Sequence, residues 1–196
     1  KRQVITKAKA ANMPNDNIKR TIDKALGAGN TDNYEKIVYE GYGPSGVAVI
    51  VETMTDNRNR TAGEIRHYFD KYGGNMGAAN CVSWSFDKKG VIVIDNEDEE
   101  LDEDDVMMEV LDAGADDFEP DGETFVVYTA PDDVSPVAEK ISAAGYKLLS
   151  AQVEMLPQNG YIKLTNEDDI KNMQKMLDMF EDNDDVQNVW HNWQQD

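Results

Sequence analysis

Two arginines one residue apart, Arg58 and Arg60, are interleaved with Asn57 and Asn59 in the run Thr55-Asp56-Asn57-Arg58-Asn59-Arg60-Thr61. Guanidinium forks present several N–H donors in one plane, a pattern that fits phosphate oxygens and the nucleic-acid backbone. Between an apolar strand and an amphipathic helix they read as loop residues without a core role. Ion pairing to acidic side chains elsewhere is the competing reading. Arg66 follows on the polar face of the helix, beside Glu64, His67 and Lys71. A second basic set, Lys1, Arg2, Lys7, Lys9, Lys19, Arg20 and Lys24, crowds the N-terminal end. Tyr39, Tyr42, Tyr68 and Tyr72 offer rings for stacking on bases, with packing in the hairpin and core as the alternative.

Other reactive groups are few. Cys81 is the one cysteine, and His67 and His191 are the two histidines that could activate a nucleophile. Beside Val82, Trp84 and Phe86 the cysteine reads as a small buried hydrophobe. The glycines at 41, 43, 46, 73, 74 and 77 read as turn residues and not as a phosphate cradle, and no zinc spacing is present. The acidic stretch Asn96 to Asp105 lacks the central glycine and ligand spacing of a calcium loop. Its carboxylates suit the start of the next helix instead, with Asp102 as N-cap. We expect no catalytic residue, no cofactor and no metal.

The net charge of −20 over 196 residues argues by itself against binding a polyanion. Its distribution reverses that inference for one end. Residues 1–32 hold seven basic and three acidic side chains, +4, which leaves −24 for the remainder by difference. A basic end on an acidic body is the asymmetry expected when one end meets nucleic acid and the rest resists non-specific contact. No run approaches the roughly eighteen apolar residues of a membrane span. A soluble, cytoplasmic monomer without membrane contact is expected.

The elements that position these groups follow from periodicity. Two N-terminal helices, about Val4 to Ala11 and Asn15 to Leu26, meet at Asn12-Met13-Pro14 and stop at Gly27 and Gly29. A hairpin turns at Gly43-Pro44-Ser45-Gly46, and a helix carries Ala62, Ile65, Phe69 and Tyr72 on its buried stripe. Alternation predicts a strand with Val82, Trp84 and Phe86 on one face, followed by a tight turn at Asp87-Lys88-Lys89-Gly90. A pseudo-repeat comes next. Strand 91–94, a helix through Val106, Val110 and Leu111, and a short strand near Phe118 form one half, with a turn at Pro120-Asp121-Gly122. Strand 124–129, a helix through Val137, Ala138 and Ile141, and strand 147–154 form the other. The pair makes βαββαβ, the ferredoxin-like arrangement. A strand from Gly160 to Leu164, a helix with Ile170, Met173, Leu177 and Phe180, and a strand from Val186 to Trp190 close the chain.

The pieces Glu40-Gly41-Tyr42-Gly43-Pro44, Asp56-Asn57-Arg58-Asn59-Arg60-Thr61 and Gly73-Gly74-Asn75-Met76 resemble the YebC family, also called PmpR, which includes the mitochondrial translational activator of cytochrome c oxidase. The likeness extends from Asn12-Met13-Pro14 to Asp185-Val186-Gln187-Asn188-Val189-Trp190-His191-Asn192. It implies an N-terminally truncated chain, because members begin with a further basic helical stretch. The fold class expected is multidomain α+β. Residues 1–32 are a partial helical domain, 33–89 and 157–196 a discontinuous α+β domain, and 90–156 an inserted ferredoxin-like domain.

The resemblance implies a non-enzymatic, nucleic-acid-associated regulator of gene expression of the DNA-binding transcriptional kind. A translation factor that binds the ribosome and rRNA and relieves stalling is the alternative, with ribosomal proteins as further partners. A protein-only adaptor is a third reading.

Overall fold

The computed structural model describes residues 33–98 and 101–195. The two helices expected before Gly27, and the seven basic residues from Lys1 to Lys24, lie outside the described residues. The described chain is α+β, with two four-stranded sheets that fall into two compact units. One joins residues up to Asp87 with Pro157 onward, and the other is Lys88–Leu156.

In the first unit, strands β1 (Glu35–Tyr42) and β2 (Ala48–Thr55) form an antiparallel hairpin, with Glu35 opposite Thr55 and Tyr42 opposite Ala48. The reversal is a 3₁₀ turn over Pro44–Gly46 in which Ser45 (φ 56°) and Gly46 (φ 80°) take the left-handed conformation. Gly43 serves another purpose: its φ is ordinary, but an added Cβ would stand 2.6 Å from Met173 Sδ. Helix α1 (Arg58–Lys71) starts at Asn57, whose side chain accepts from the Arg60 N–H. It ends in the left-handed Gly73 (φ 78°), with the Gly74 N–H returning to the Phe69 carbonyl at 2.8 Å. Strand β3 (Asn75–Met76) pairs with β1. After the inserted unit, α4 (Glu167–Asp182, capped by Asn166) and β8 (Val186–His191) complete the sheet in the order β3-β1-β2-β8. Val47, Val49 and Val51 meet Ile65, Phe69, Met173, Met176 and Phe180 in the core, where Phe69 and Phe180 contact edge to face at 5.2 Å.

The second unit runs β4 (Phe86–Asp95), α2 (Glu103–Asp112), β5 (Asp117–Asp121), β6 (Thr124–Thr129), α3 (Val134–Ala143) and β7 (Leu148–Pro157). The strand order β5-β6-β4-β7 is that of the ferredoxin-like sheet. Ile92, Ile94, Phe125 and Val127 pack against Val106 and Val110 of α2 and Val137 and Ile141 of α3. Asp102 caps α2 as expected, accepting from the Asp104 and Asp105 N–H groups at 3.0 and 3.1 Å.

Several sequence expectations are corrected. Residues 83–85 form a 3₁₀ turn and not a strand, and Trp84 is 69% exposed while Val82 and Phe86 are buried. Asp87 to Gly90 is no turn, because β4 runs unbroken through it and Gly90 pairs with Thr129. Glycine is needed there for room: an added Cβ would fall on Thr129 Oγ1 and 2.8 Å from Val134. Pro120 lies within β5, an edge strand that tolerates a missing donor, so the chain turns at Gly122 (φ 61°). No strand spans 160–164; Ile162 makes a single parallel bridge to Trp193. On α1 the buried stripe begins at Thr61 and not at Ala62. Leu111 is 46% exposed and does not join Val106 and Val110 in the core.

Residues 88–156, expressed alone, are expected to unfold in one cooperative thermal transition, because β4, β6 and both helices share one buried cluster against which Phe118 of β5 and Leu148 and Val153 of β7 pack. A fragment without a transition, while the full chain retains one, would overturn the independence of this unit.

Candidate nucleic-acid interface

The arginine pair does not lie in a loop: both residues occupy the first turn of α1. Cations there oppose the helix dipole, so helix formation alone does not favour them. The structure then separates the two. Arg60 Nη2 lies 2.9 Å from Asp185 Oδ2 and 3.5 Å from Asp56, and the hydrogen bond to Asp185 is the main cause that raises its pKa. Asp185 is buried, its side chain 7% exposed.

Thr61 Oγ1 is 3.0 Å from the same carboxylate oxygen and 2.8 Å from Thr55 Oγ1. With one proton to give, Thr61 donates to the charged acceptor and accepts from the Thr55 hydroxyl. Thr55 Oγ1 in turn accepts from the Asn57 N–H at 2.9 Å. Asp185 therefore ties the start of α1 to the turn before β8, where the Met54 N–H also donates to the Asp185 carbonyl. Arg60 belongs to this scaffold.

Arg58 is more open. Its Nε is 3.7 Å from Glu35, and both side chains are more than half exposed. Arg66 is exposed as well, and spacings of four place Arg58, Ala62 and Arg66 in one row along α1. His67 and Lys71 are also exposed, with the Lys71 ammonium 5.4 Å above the Tyr72 ring.

A feature that sequence reading missed lies at the other end of β1. The Glu40 carboxylate is buried and accepts three backbone N–H groups, from Asn80 at 2.6 Å, Ser83 at 2.7 Å and Val82 at 3.3 Å. The Gly77 N–H donates to the Glu40 carbonyl at 2.9 Å. Converging N–H groups of this kind often hold a bound anion. Here a side chain of the protein fills the cradle, and Asn80 takes a left-handed φ of 67° to close it.

The loop so fixed displays two rings. Trp84 Nε1 donates to the Cys81 carbonyl at 3.0 Å, and the Tyr42 hydroxyl donates to the same oxygen at 3.3 Å. Both rings are exposed yet tethered at their polar ends. The other tyrosines serve packing: Tyr39, Tyr68 and Tyr72 lie against the core, and Tyr68 meets Phe180 edge to face at 5.9 Å. The signal available in the sequence was the lone acid of Glu40-Gly41-Tyr42-Gly43, set on the half of β1 that is otherwise apolar.

The thiol of Cys81 is half-buried and not fully enclosed; burial, and then the negative charge of Glu40, push it above its ordinary range and disfavour the reactive thiolate. His191 Nδ1 accepts the Trp193 N–H at 3.1 Å. Among the described residues no group of three or more His, Cys, Asp or Glu side chains converges as a metal would require, and no helix is long and apolar enough to cross a membrane.

Arg58 sits beside the Glu35 end of β1 and the tethered rings at its Tyr42 end, about 23 Å apart at ~3.3 Å per residue. Fold and site together define an α+β scaffold that presents exposed cations along α1 and tethered aromatic faces at the Tyr42 end of the hairpin. The chain belongs to the TACO1/YebC family: the family model described as the TACO1/YebC second and third domain matches residues 34–193. A relative from Acetivibrio thermocellus, named a probable transcriptional regulatory protein, is 57% identical over 98% of this chain and 78% of its own length. One of the same name from Finegoldia magna is 54% identical over 98% and 78%. The crystal structure of a conserved hypothetical protein from Aquifex aeolicus superposes with a TM-score of 0.74 at 39% identity, over 98% of this chain and 78% of that one.

Proposed function

We propose that this chain is a non-enzymatic regulator of gene expression that acts by binding nucleic acid, as a DNA-binding transcriptional regulator, in the cytoplasm and as a monomer. The observation that carries the reading is the Arg58–Arg66 row, exposed cations on an acidic chain, in a family whose members bear the name of transcriptional regulators. The basic residues Lys1, Arg2, Lys7, Lys9, Lys19, Arg20 and Lys24 supply most of the phosphate contact, and Arg60 adds its remaining donors. Cations spread over two turns of α1, with Arg58 about 23 Å from the tethered rings, suit a polymer and not a small molecule.

A second reading, attachment to the ribosome through rRNA, is favoured by the tethered pair Tyr42 and Trp84. Exposed rings held in place stack on unpaired bases, which RNA loops offer and duplex DNA does not.

The test is binding to duplex DNA and co-sedimentation with ribosomes, each as a function of salt. Replacing Lys7, Lys9, Lys19 and Arg20 by Ala should lower the salt slope by about one for each phosphate no longer neutralised. Arg58→Ala with Arg66→Ala should weaken binding by about 1–3 kcal/mol and leave the melting temperature nearly unchanged. Arg60→Ala should lower the melting temperature by withdrawing the partner of buried Asp185, and should weaken binding less than the Arg58/Arg66 change. Retained affinity in the Arg58/Arg66 variant would remove this row from the interface. Trp84→Ala should impair ribosome association but not duplex binding, and failure of both assays would leave a protein-only adaptor.

A further inference from the structure

We propose that the outward face of α2 is a docking surface for a basic amphipathic segment of another protein. This goes beyond the nucleic-acid reading and stands without it. α2 buries Val106 and Val110 against its own sheet, yet exposes Met107 (37%), Met108 (58%) and Leu111 (46%). Spacings of three and four make Leu111 a neighbour of both methionines, so the three form one patch and not scattered points. Asp104 stands one turn before the patch and Asp112 one turn after Met108. Glu103, Asp105 and Glu109 complete a helix that has no Lys or Arg.

A contiguous apolar patch with a charged rim marks an interaction site more often than a solvated surface. Charge selects the occupant. The carboxylates of α2 repel phosphates and anionic lipid headgroups, and they repel a second copy of the same helix. They attract lysine and arginine, whose aliphatic stems also cover apolar surface. Methionine thioethers repack around anchors of different shape, so the surface suits a class of basic segments with leucine-like anchors and not one fixed sequence. At about 15 Å, α2 matches two to three turns of a partner helix. The contact falls in the small, transient class, its association rate raised by opposite charge and lowered by salt.

The probe is a synthetic helical peptide with leucines at positions i, i+3, i+4 and i+7 and lysines elsewhere, titrated into the full chain while the methionine methyl resonances are recorded. A control peptide of equal charge carries serine for leucine. The leucine peptide should shift Met107 and Met108 and bind at least tenfold more tightly than the control. Met108→Ser with Leu111→Ser, both exposed and so compatible with folding, should erase that tenfold difference while both peptides keep their weak, salt-sensitive attraction. Equal binding of the two peptides, or an unchanged preference in the double variant, would overturn the proposal. So would methionine resonances that do not respond, the result expected where the chain's own N-terminal residues or a second copy cover the patch.

Discussion

Glu40→Gln is expected to lower the stability of the chain by about 2–3 kcal/mol and to release the loop from Gly77 to Ser85, because hydrogen bonds to a charged group each contribute about 1.5–3 kcal/mol. The carboxylate accepts from Asn80, Val82 and Ser83. Glutamine keeps the shape but replaces one oxygen by an NH₂ group, which would point a donor at donors. Cys81 reports the result: alkylation at neutral pH should be slow while the thiol is half-buried beside a negative charge. It should accelerate severalfold in the variant, since opening the loop and removing the charge act in the same direction. Unchanged melting together with unchanged alkylation would show that the three N–H groups find other partners and that Glu40 does not hold the loop.

Gly74→Ala should cost at least as much, about 2–4 kcal/mol, through crowding and not through a missing bond. An added Cβ would fall on the Tyr42 carbonyl oxygen and 2.9 Å from Met176 Cε. The side chain can turn away, but the carbonyl is held in the sheet. Gly41 on the facing strand is equally confined, with a Cβ position 2.5 Å from the Asn75 carbonyl oxygen. Gly63 is the control. It lies in α1 with nothing within 4 Å of a Cβ, so Gly63→Ala should stabilise by up to about 1 kcal/mol. Equal effects at 63 and 74 would sink the close-approach account of the glycine-rich pieces.

Local signals in the sequence carried much of this architecture. The hairpin, the cap at Asp102 and the apolar stripes of α3 and α4 are decided within one or two turns of chain. The errors fell where the deciding partner is remote. Val82, Trp84 and Phe86 alternate as a strand would, but the conformation of that segment is set by a carboxylate some forty residues earlier in the chain. Lys88-Lys89-Gly90 resembles a turn until Thr129 and Val134 show that glycine is there for space. Arg60 looks equivalent to Arg58 in the sequence, and only Asp185, at the far end of the same unit, tells them apart. The reading of Leu111 as core failed for a different reason: apolar character stood in for burial, and the helix is apolar on two sides.

The sheet of the first unit has a consequence during synthesis. β2 pairs with β8, and Thr61 of α1 is anchored by Asp185, so the N-terminal half of that sheet stays incomplete until the ribosome has translated the inserted unit and reached His191. At about 5–20 residues per second, this leaves the edge of a strand reading Ala-Val-Ile-Val unpartnered for on the order of ten seconds, while Lys88–Leu156 emerges as one continuous compact unit. A nascent chain of this protein is thus most vulnerable to edge-to-edge aggregation in its middle period, after β2 leaves the exit tunnel and before β8 does.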